Sequence, residues 1–281
     1  MIVVTGATGN VGRSLVQSLA VAGEQVSATS RGISAADVPQ GVRHHRADLT
    51  DPETLRLAFD GADALFLQNG GPSAHLLDPH AILDVAKSAG ITRVVLLSSQ
   101  GAATRPESAS HGGTARAIED AVTQSAPDWT ILRPGGFDSN AYAWAESVRT
   151  RRVVAAPFAD VGLPLIHPAD IAEVAAATLR EGGHGGRILE LTGPALVTPR
   201  QAAAAIGEAL GEPVRFAELT RAEARAQMVR FMPGPVVDTT LDILGAPTPA
   251  EQRMSPDAEQ LLGRAPRTFA DWAHANVGAF R

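Results

Sequence analysis

Cysteine is missing altogether and tyrosine occurs once, at position 142. Without cysteine the chain can build no disulfide, thiolate nucleophile, Cys-ligated zinc site or iron–sulfur cluster, so any redox chemistry must come from a bound cofactor. Lysine and arginine total 24 against 30 acidic residues, a net charge of −6 with no basic block. That balance offers no footprint for a phosphate backbone and predicts no nucleic-acid partner. No apolar run approaches the roughly 20 residues needed to span a bilayer, and the first strand candidate, Ile2-Val3-Val4, begins at once. The expectation is therefore a cytoplasmic protein with no cleavable leader and no membrane partner. What remains is ordinary globular material: 281 residues, 44% hydrophobic and 19% charged. That length is enough for a sizeable core, read here as one domain with a smaller lobe.

The first half alternates short apolar runs with amphipathic stretches. Ile2 to Thr5, then Arg13 to Ala22 with Leu15, Val16 and Leu19 on one face, then Gln25 to Ser30 predict a βαβ unit. Val42 to Arg46 predicts the next strand, and Thr50 with Glu53 a capping box opening a helix that Gly61 closes. Ala64 to Leu67 predicts a buried strand, Asp78-Pro79 a helix ending at Gly90, and Arg93 to Ser98 a near-continuous apolar strand. Such strands suit a parallel sheet covered on both faces. Ala115 to Ser125 and Trp129 to Leu132 continue the alternation, which Pro134-Gly135-Gly136 breaks. Ala169 to Leu179 and Arg187 to Leu191 predict a helix and a strand returning to the far edge of the sheet. The remainder reads as looser and proline-rich. Nine of the twelve aromatic residues follow position 136, as walls of a substrate lobe or simply as that lobe's core.

The segment Thr5-Gly6-Ala7-Thr8-Gly9-Asn10-Val11-Gly12 leaves the first strand and opens the first helix, the context that a dinucleotide fingerprint requires. Gly6 permits the tight turn, Gly9 lets backbone N–H groups approach a pyrophosphate, and Gly12 lets helix and strand pack closely. The free N–H donors of the helix start then face the anion. The reading is an α/β, doubly wound parallel sheet of the Rossmann type. Its dinucleotide-binding domain runs over 1–135, with 168–192 returning to it, and a smaller C-terminal substrate lobe comprises 136–167 and 193–281. At the end of the second strand, where an NAD site places a carboxylate on the ribose, stands Ser27-Ala28-Thr29-Ser30-Arg31. Arg31 offers a bidentate partner for a 2′-phosphate, which favours NADP(H) over NAD(H). Asp48-Leu49 frames the adenine, or Asp48 serves the following helix start beside Thr50.

On TGATGNVGR at residues 5 to 13, SSQGA at 98 to 102, ILRPGGFDSN at 131 to 140, HPADIAEVAAATL at 167 to 179 and PRTFADWA at 266 to 273, the chain resembles the NmrA-like group of atypical short-chain dehydrogenases/reductases. The resemblance covers nearly the whole length. It implies a Rossmann domain binding NADP(H) or NAD(H), a smaller lobe over the nicotinamide, and members ranging from quinone or ketone reductases to non-catalytic redox sensors. It also implies that Ser98, Pro134 and Gly135 contact cofactor, and that Gln100, Phe137, Asn140, Tyr142 and Trp144 contact substrate.

The chain departs from the usual short-chain dehydrogenase pattern, in which a serine works with Tyr-x-x-x-Lys. Tyr142 lies beyond the sixth strand with no lysine at the required spacing. The expected helix carries His111-Gly112-Gly113-Thr114-Ala115-Arg116, with Ala115 in the lysine position. Ser99 is the expected hydrogen-bond donor to a substrate carbonyl, or else a local backbone partner. His111 is the expected acid, or else a helix-start histidine. Glu119 reads as serving the helix surface or a structural hydrogen bond rather than catalysis, and His167 as pocket lining or a helix cap. His44 and His45 face opposite sides of a strand, and His75, His80, His184 and His274 show no zinc-ligand spacing, so no metal is expected. The functional expectation is hydride transfer from NAD(P)H to a quinone or polycyclic aromatic ketone, possible aromatic polyketide intermediates included. A quinone's adduct is a stabilised hydroquinone anion that water can protonate, so a missing tyrosine costs least there. A cofactor-sensing regulator is the rival, and an epimerase using bound NAD⁺ is disfavoured by the absent tyrosine base.

Overall fold

A computed structural model describes all residues except 69, 70 and 109, and at 71–73 only the main chain. In chain order the elements are β1 (Ile2–Thr5), α1 (Gly12–Val21), β2 (Val26–Ser30), β3 (Arg43–Arg46), α2 (Arg56–Phe59), β4 (Ala64–Gln68) and α3 (Pro79–Ser88). There follow β5 (Arg93–Leu97), α4 (Gly101–Thr104), α5 (Gly112–Ser125), β6 (Asp128–Pro134), α6 (Ala145–Arg151), β7 (Val153–Pro157) and α7 (Pro168–Arg180). The last third holds β8 (Arg187–Leu191), α8 (Pro199–Leu210), β9 (Arg215–Leu219), α9 (Arg221–Met228), α10 (Gly234–Gly245), α11 (Asp257–Leu262) and α12 (Phe269–Ala275).

By internal contact the chain divides into two units. The first is Met1–Pro134, Pro168–Glu190 and Gln260–Leu262; the second is Gly135–His167, Leu191–Glu259 and Gly263–Arg281. In the first, seven strands take the order β3-β2-β1-β4-β5-β6-β8, with β1 to β6 parallel. Strand order reverses between β1 and β4, the position where open α/β sheets take ligands at their carboxyl ends. Alternation along the strands sends Val3, Leu65, Leu67, Val94, Leu96 and Ile131 to one face. There they pack against Phe59 of α2, Ile82 and Leu83 of α3 and Ile118 and Val122 of α5. On the other face α1 lies beside α7. The doubly wound sheet expected from the alternating pattern is therefore present.

Two local expectations change. Thr50 and Glu53 do not form a capping box: Thr50 donates to the Asp48 carboxylate, and Glu53 pairs with Arg56 at 2.6 Å. The segment after β3 then opens as a short 3₁₀ turn at Pro52–Leu55 before α2, because Asp48 competes for the Thr50 donors. The last third is also more regular than its prolines suggest. Thr198 with Gln201, Thr220 with Glu223 and Thr268 with Asp271 form capping boxes that open α8, α9 and α12. The second unit's core gathers Val148, Val154, Ile206, Phe269, Trp272 and Phe280, beside a parallel β7–β9 pair.

Phe59 is fully buried between α2, the sheet and α3. Truncation to alanine leaves a cavity there, and urea unfolding should show Phe59→Ala destabilised by about 3–5 kcal/mol.

Candidate functional site

The loop after β1 is pinned before it turns. Thr5 Oγ1 donates to the Phe66 carbonyl at 2.9 Å and accepts from the Gln68 N–H at 3.0 Å, which ties the carboxyl ends of β1 and β4 together. Gly6 then turns with φ +63, in the left-handed region that a side chain disfavours. A Cβ at Gly12 would lie 2.2 Å from the Gly6 carbonyl oxygen, so α1 starts in direct contact with the strand's end. The Gly9 N–H closes the turn onto the Gly6 carbonyl at 2.9 Å. Val11 precedes α1 with no side-chain cap, and the first turn carries no acidic residue. Among the described residues, the N–H groups of Val11 and Gly12 meet no backbone acceptor. Free donors at the start of a ten-residue helix suit a pyrophosphate. The Thr8 hydroxyl donates to Ser30 Oγ at 3.1 Å, linking this loop to the end of β2, while Asn10 is exposed.

Arg31 follows Ser30 and is exposed. Its guanidinium forms no ion pair with any described carboxylate, while its carbonyl accepts from Arg46 Nε at 2.6 Å. Arg46 stands opposite Ser30 in the parallel register. Sequence reading passed over it because only strand pairing brings the end of β3 beside the end of β2. Asp48 holds Thr50 through both the N–H (3.0 Å) and the hydroxyl (2.9 Å), bonds that keep its carboxyl below the usual carboxylate range. The helix-side role of Asp48 is thus present; Leu49 beside it is half-buried and packs on the α2–α3 core.

At the end of β5 two neighbouring hydroxyls do different jobs. Ser98 is buried and donates to Glu119 Oε1 at 2.6 Å, while its N–H bonds the Leu132 carbonyl. Only its main chain is left for the cofactor contact expected of it. Glu119 is itself buried and is clamped by Arg133 through Nε at 2.9 Å and Nη2 at 2.6 Å, which raises the already high pKa of the guanidinium. Ser99 is half-buried and its Oγ accepts from the Gly101 N–H at 3.1 Å, which leaves the hydroxyl proton to be directed elsewhere. Gln100 is buried, with its N–H on the Pro134 carbonyl.

His111 stands at the start of α5, with Nδ1 3.0 Å from Ser110 Oγ. Gly101 lies between the two expected catalytic residues: a Cβ there would be 3.3 Å from Ser99 Oγ and 3.6 Å from His111 Cβ. Gly112 makes the approach of α4 and α5 possible, because a Cβ on it would come within 1.9 Å of the Arg105 carbonyl. Burial first, then the positive charge of Arg105, push the His111 pKa down. Both causes disfavour the charged form of the ring, and in the neutral form one ring nitrogen still donates a hydrogen bond.

The other expected residues belong to the second unit. The Gly135 N–H bonds the Leu191 carbonyl at 3.0 Å, and Phe137 bridges Ile166. Asn140 is exposed. Tyr142 stacks edge-on to Trp272 at 5.0 Å and bonds Asn276 through its hydroxyl, and Trp144 packs on the same core. Both rings are thus largely framework of this unit, as the simpler reading of the aromatic excess has it. Among the described residues no group of three or more His, Asp or Glu could hold a metal ion, and no helix is long and apolar enough to cross a membrane.

Two outcomes test this geometry. Glu119→Ala leaves Arg133 buried without its partner, and urea unfolding should show a loss of about 3–5 kcal/mol. For His111, the unfolded chain binds more protons than the folded one between the lowered pKa and about 6.5. Its contribution to stability is therefore complete above that window and falls as the pH drops through it. The stability advantage of the native chain over His111→Asn should be larger at pH 7.5 than at pH 5, measured by urea titration at both.

The profile of a family described as NAD(P)H-binding matches residues 6–182. A (4-alkanoyl-5-oxo-2,5-dihydrofuran-3-yl)methyl phosphate reductase of Streptomyces griseus is 34% identical over 291 residues, covering 100% of this chain and 99% of its own. An NAD(P)H azoreductase of Xenophilus azovorans is 30% identical over 285 residues, with 100% and 99% covered. The crystal structure of an NADPH-dependent quinone oxidoreductase from Escherichia coli with NADPH superposes with TM-score 0.80 at 27% identity, over 98% of this chain and 99% of that one. The negative transcriptional regulator NmrA shares the fold at TM-score 0.75 and 18% identity, over 99% and 95%. With a family profile over more than half its length and full-length relatives of this kind, the chain belongs to the NAD(P)H-binding family, among its atypical short-chain-dehydrogenase-type reductases.

Proposed function

We propose that this protein uses NADPH to reduce conjugated, electron-poor acceptors, quinones first among them, whose hydride adducts are delocalised anions. The observation that carries the reading is that the Ser99 hydroxyl and the head of α5 with His111 both border Gly101, in a chain where the Tyr-x-x-x-Lys pair is missing. Such a site can hold and polarise an oxygen but has no strong acid. A quinone taking up hydride becomes a hydroquinone monoanion, which needs only one further proton from water. The related reductases are named for substrates of the same electronic kind, an azo compound and an acyl oxodihydrofuran, both conjugated and electron-poor.

Bound NADPH supplies the hydride. The Val11 and Gly12 N–H groups, beside Thr8, Gly9 and Asn10, would hold the pyrophosphate, and Arg31, with Arg46 adjacent, would hold the 2′-phosphate. Asp48 and Leu49 would serve the adenine, and Pro134 and Gly135 with the Ser98 main chain the nicotinamide. Ser99 donates its free hydroxyl proton to the acceptor oxygen, and the His111 N–H gives that oxygen a second donor. The second unit takes the role of substrate lobe, with Phe137, Asn140, Tyr142 and Trp144 as the residues assigned to it, and in the first unit Gln100 is assigned to substrate next to Ser99 in the chain. The protein's contribution is orientation and hydrogen bonding, while the cofactor carries the chemistry.

Fluorescence titration should show NADPH bound more tightly than NADH. Arg31→Ala should weaken NADPH about 10-fold or more while leaving NADH unchanged, because only the phosphate loses a charge-assisted bond. In the presence of menadione the protein should oxidise NADPH. Binding of NADPH without oxidation by any quinone, azo dye or acyl dihydrofuranone would replace this reading with that of a dinucleotide-sensing protein.

A further inference from the structure

Glu119 interrupts an otherwise apolar stripe on α5. Ala115, Ile118, Ala121 and Val122 are its buried neighbours, and the carboxylate lies with only 4% of its side chain exposed. It receives three hydrogen bonds, one from Ser98 and two from Arg133, whose side chain is 12% exposed. Arg133 is also drawn electrostatically toward Glu190 on β8. A buried ion pair is a poor route to stability, since apolar residues of matched volume commonly serve as well or better. What such a pair does supply is direction: a planar fork on a carboxylate adds geometric specificity to the contact between the two elements it joins.

The elements fixed are those that carry the chemistry. Ser98 is the residue before Ser99, and Arg133 the residue before Pro134-Gly135. Main-chain bonds from Ser98 to Leu132 (2.8 Å) and from Gln100 to Pro134 (2.9 Å) continue the β5–β6 pairing past Leu97, so the two strand ends move as one piece. From there Ser99 bonds the Gly101 N–H, and Gly101 abuts His111 at the head of the helix that bears Glu119. The ring of contacts closes on itself: β5, α4, α5, Glu119 and back to β5.

We infer that Glu119 and Arg133 are positioning residues for hydride transfer, their buried pair acting through Ser98 to hold Ser99 and His111 at the separation the acceptor oxygen requires. The inference rests on the reductase reading above. Neither side chain is among the groups assigned to cofactor or acceptor, so loss of the pair should slow transfer far more than it weakens cofactor binding, most of which is assigned to the glycine loop and Arg31.

The test uses the full chain with Glu119→Leu and Arg133→Met combined, which removes the charges together, alongside Ser98→Ala, which removes one bond and leaves no charge unpaired. The double variant should melt near the native temperature and bind NADPH within about threefold of the native affinity. Its single-turnover rate of NADPH oxidation by menadione, by stopped flow, should fall about tenfold or more with little change in the menadione KM, the signature of lost orientation. Ser98→Ala should fall in the same direction by a smaller factor. A double variant that transfers hydride at the native rate overturns the inference, as does a loss that vanishes when rates are expressed per folded molecule. If the double variant does not fold, a native rate in Ser98→Ala overturns it. Should the unmodified protein oxidise no NADPH with any acceptor while still binding it, the reductase reading fails first and this inference with it.

Discussion

A helix can begin immediately beyond β1 only because nothing separates the Gly6 carbonyl from the Gly12 Cα, where a single methyl group would lie 2.2 Å from that oxygen. This contact sets the direction of α1, and with it the line along which the helix start presents its unbonded N–H groups. It also holds the end of β1 open beside β4, whose Gln68 is hydrogen-bonded through Thr5. The rest of the first unit is arranged around that opening: β2 and β3 on one side bring arginines to the edge, and the end of β5 on the other brings the hydroxyls of Ser98 and Ser99.

Electrostatics sort these two sides. Around β2 and β3 the exposed Arg31 and Arg46 carry no carboxylate partner among the described residues, although acidic residues outnumber basic ones in the chain as a whole. Asp48, which feels the charge of Arg31, is hydrogen-bonded to Thr50. Exposed guanidinium groups of this kind suit a phosphate. On the β5 and β6 side the buried Glu119 carboxylate is paired within a network of short bonds, and burial disfavours the charged form of His111. A site with polar donors and no strong acid belongs with acceptors that hold their own negative charge.

Much of this was legible in the residues. The Gly6, Gly9 and Gly12 spacing after an apolar strand identified the fingerprint, and the alternation of runs as far as Leu132 gave the parallel sheet, because both patterns follow from local backbone chemistry. The helix starts at Asp78, Thr198, Thr220 and Thr268 obey capping rules of the same local kind. Where local rules competed, sequence reading failed. Thr50 faced both Asp48 and a capping role, and the side-chain bond to Asp48 prevailed.

The sequence by itself therefore determined the fold class, the cofactor loop, the absence of thiol chemistry and the loss of the Tyr-x-x-x-Lys pair, since each depends on residues near one another in the chain. Only the tertiary structure decided that Arg46 stands beside Arg31, that Glu119 is buried against Arg133 and Ser98, and that Ser99 and His111 both border Gly101. Those pairings join residues from different elements, 14 to 21 positions apart in the Glu119 network. They exist because strand register and helix packing bring the elements together, and burial then changes what the side chains can do: it disfavours the charged form of His111 and turns a helix glutamate into the anchor of two strands.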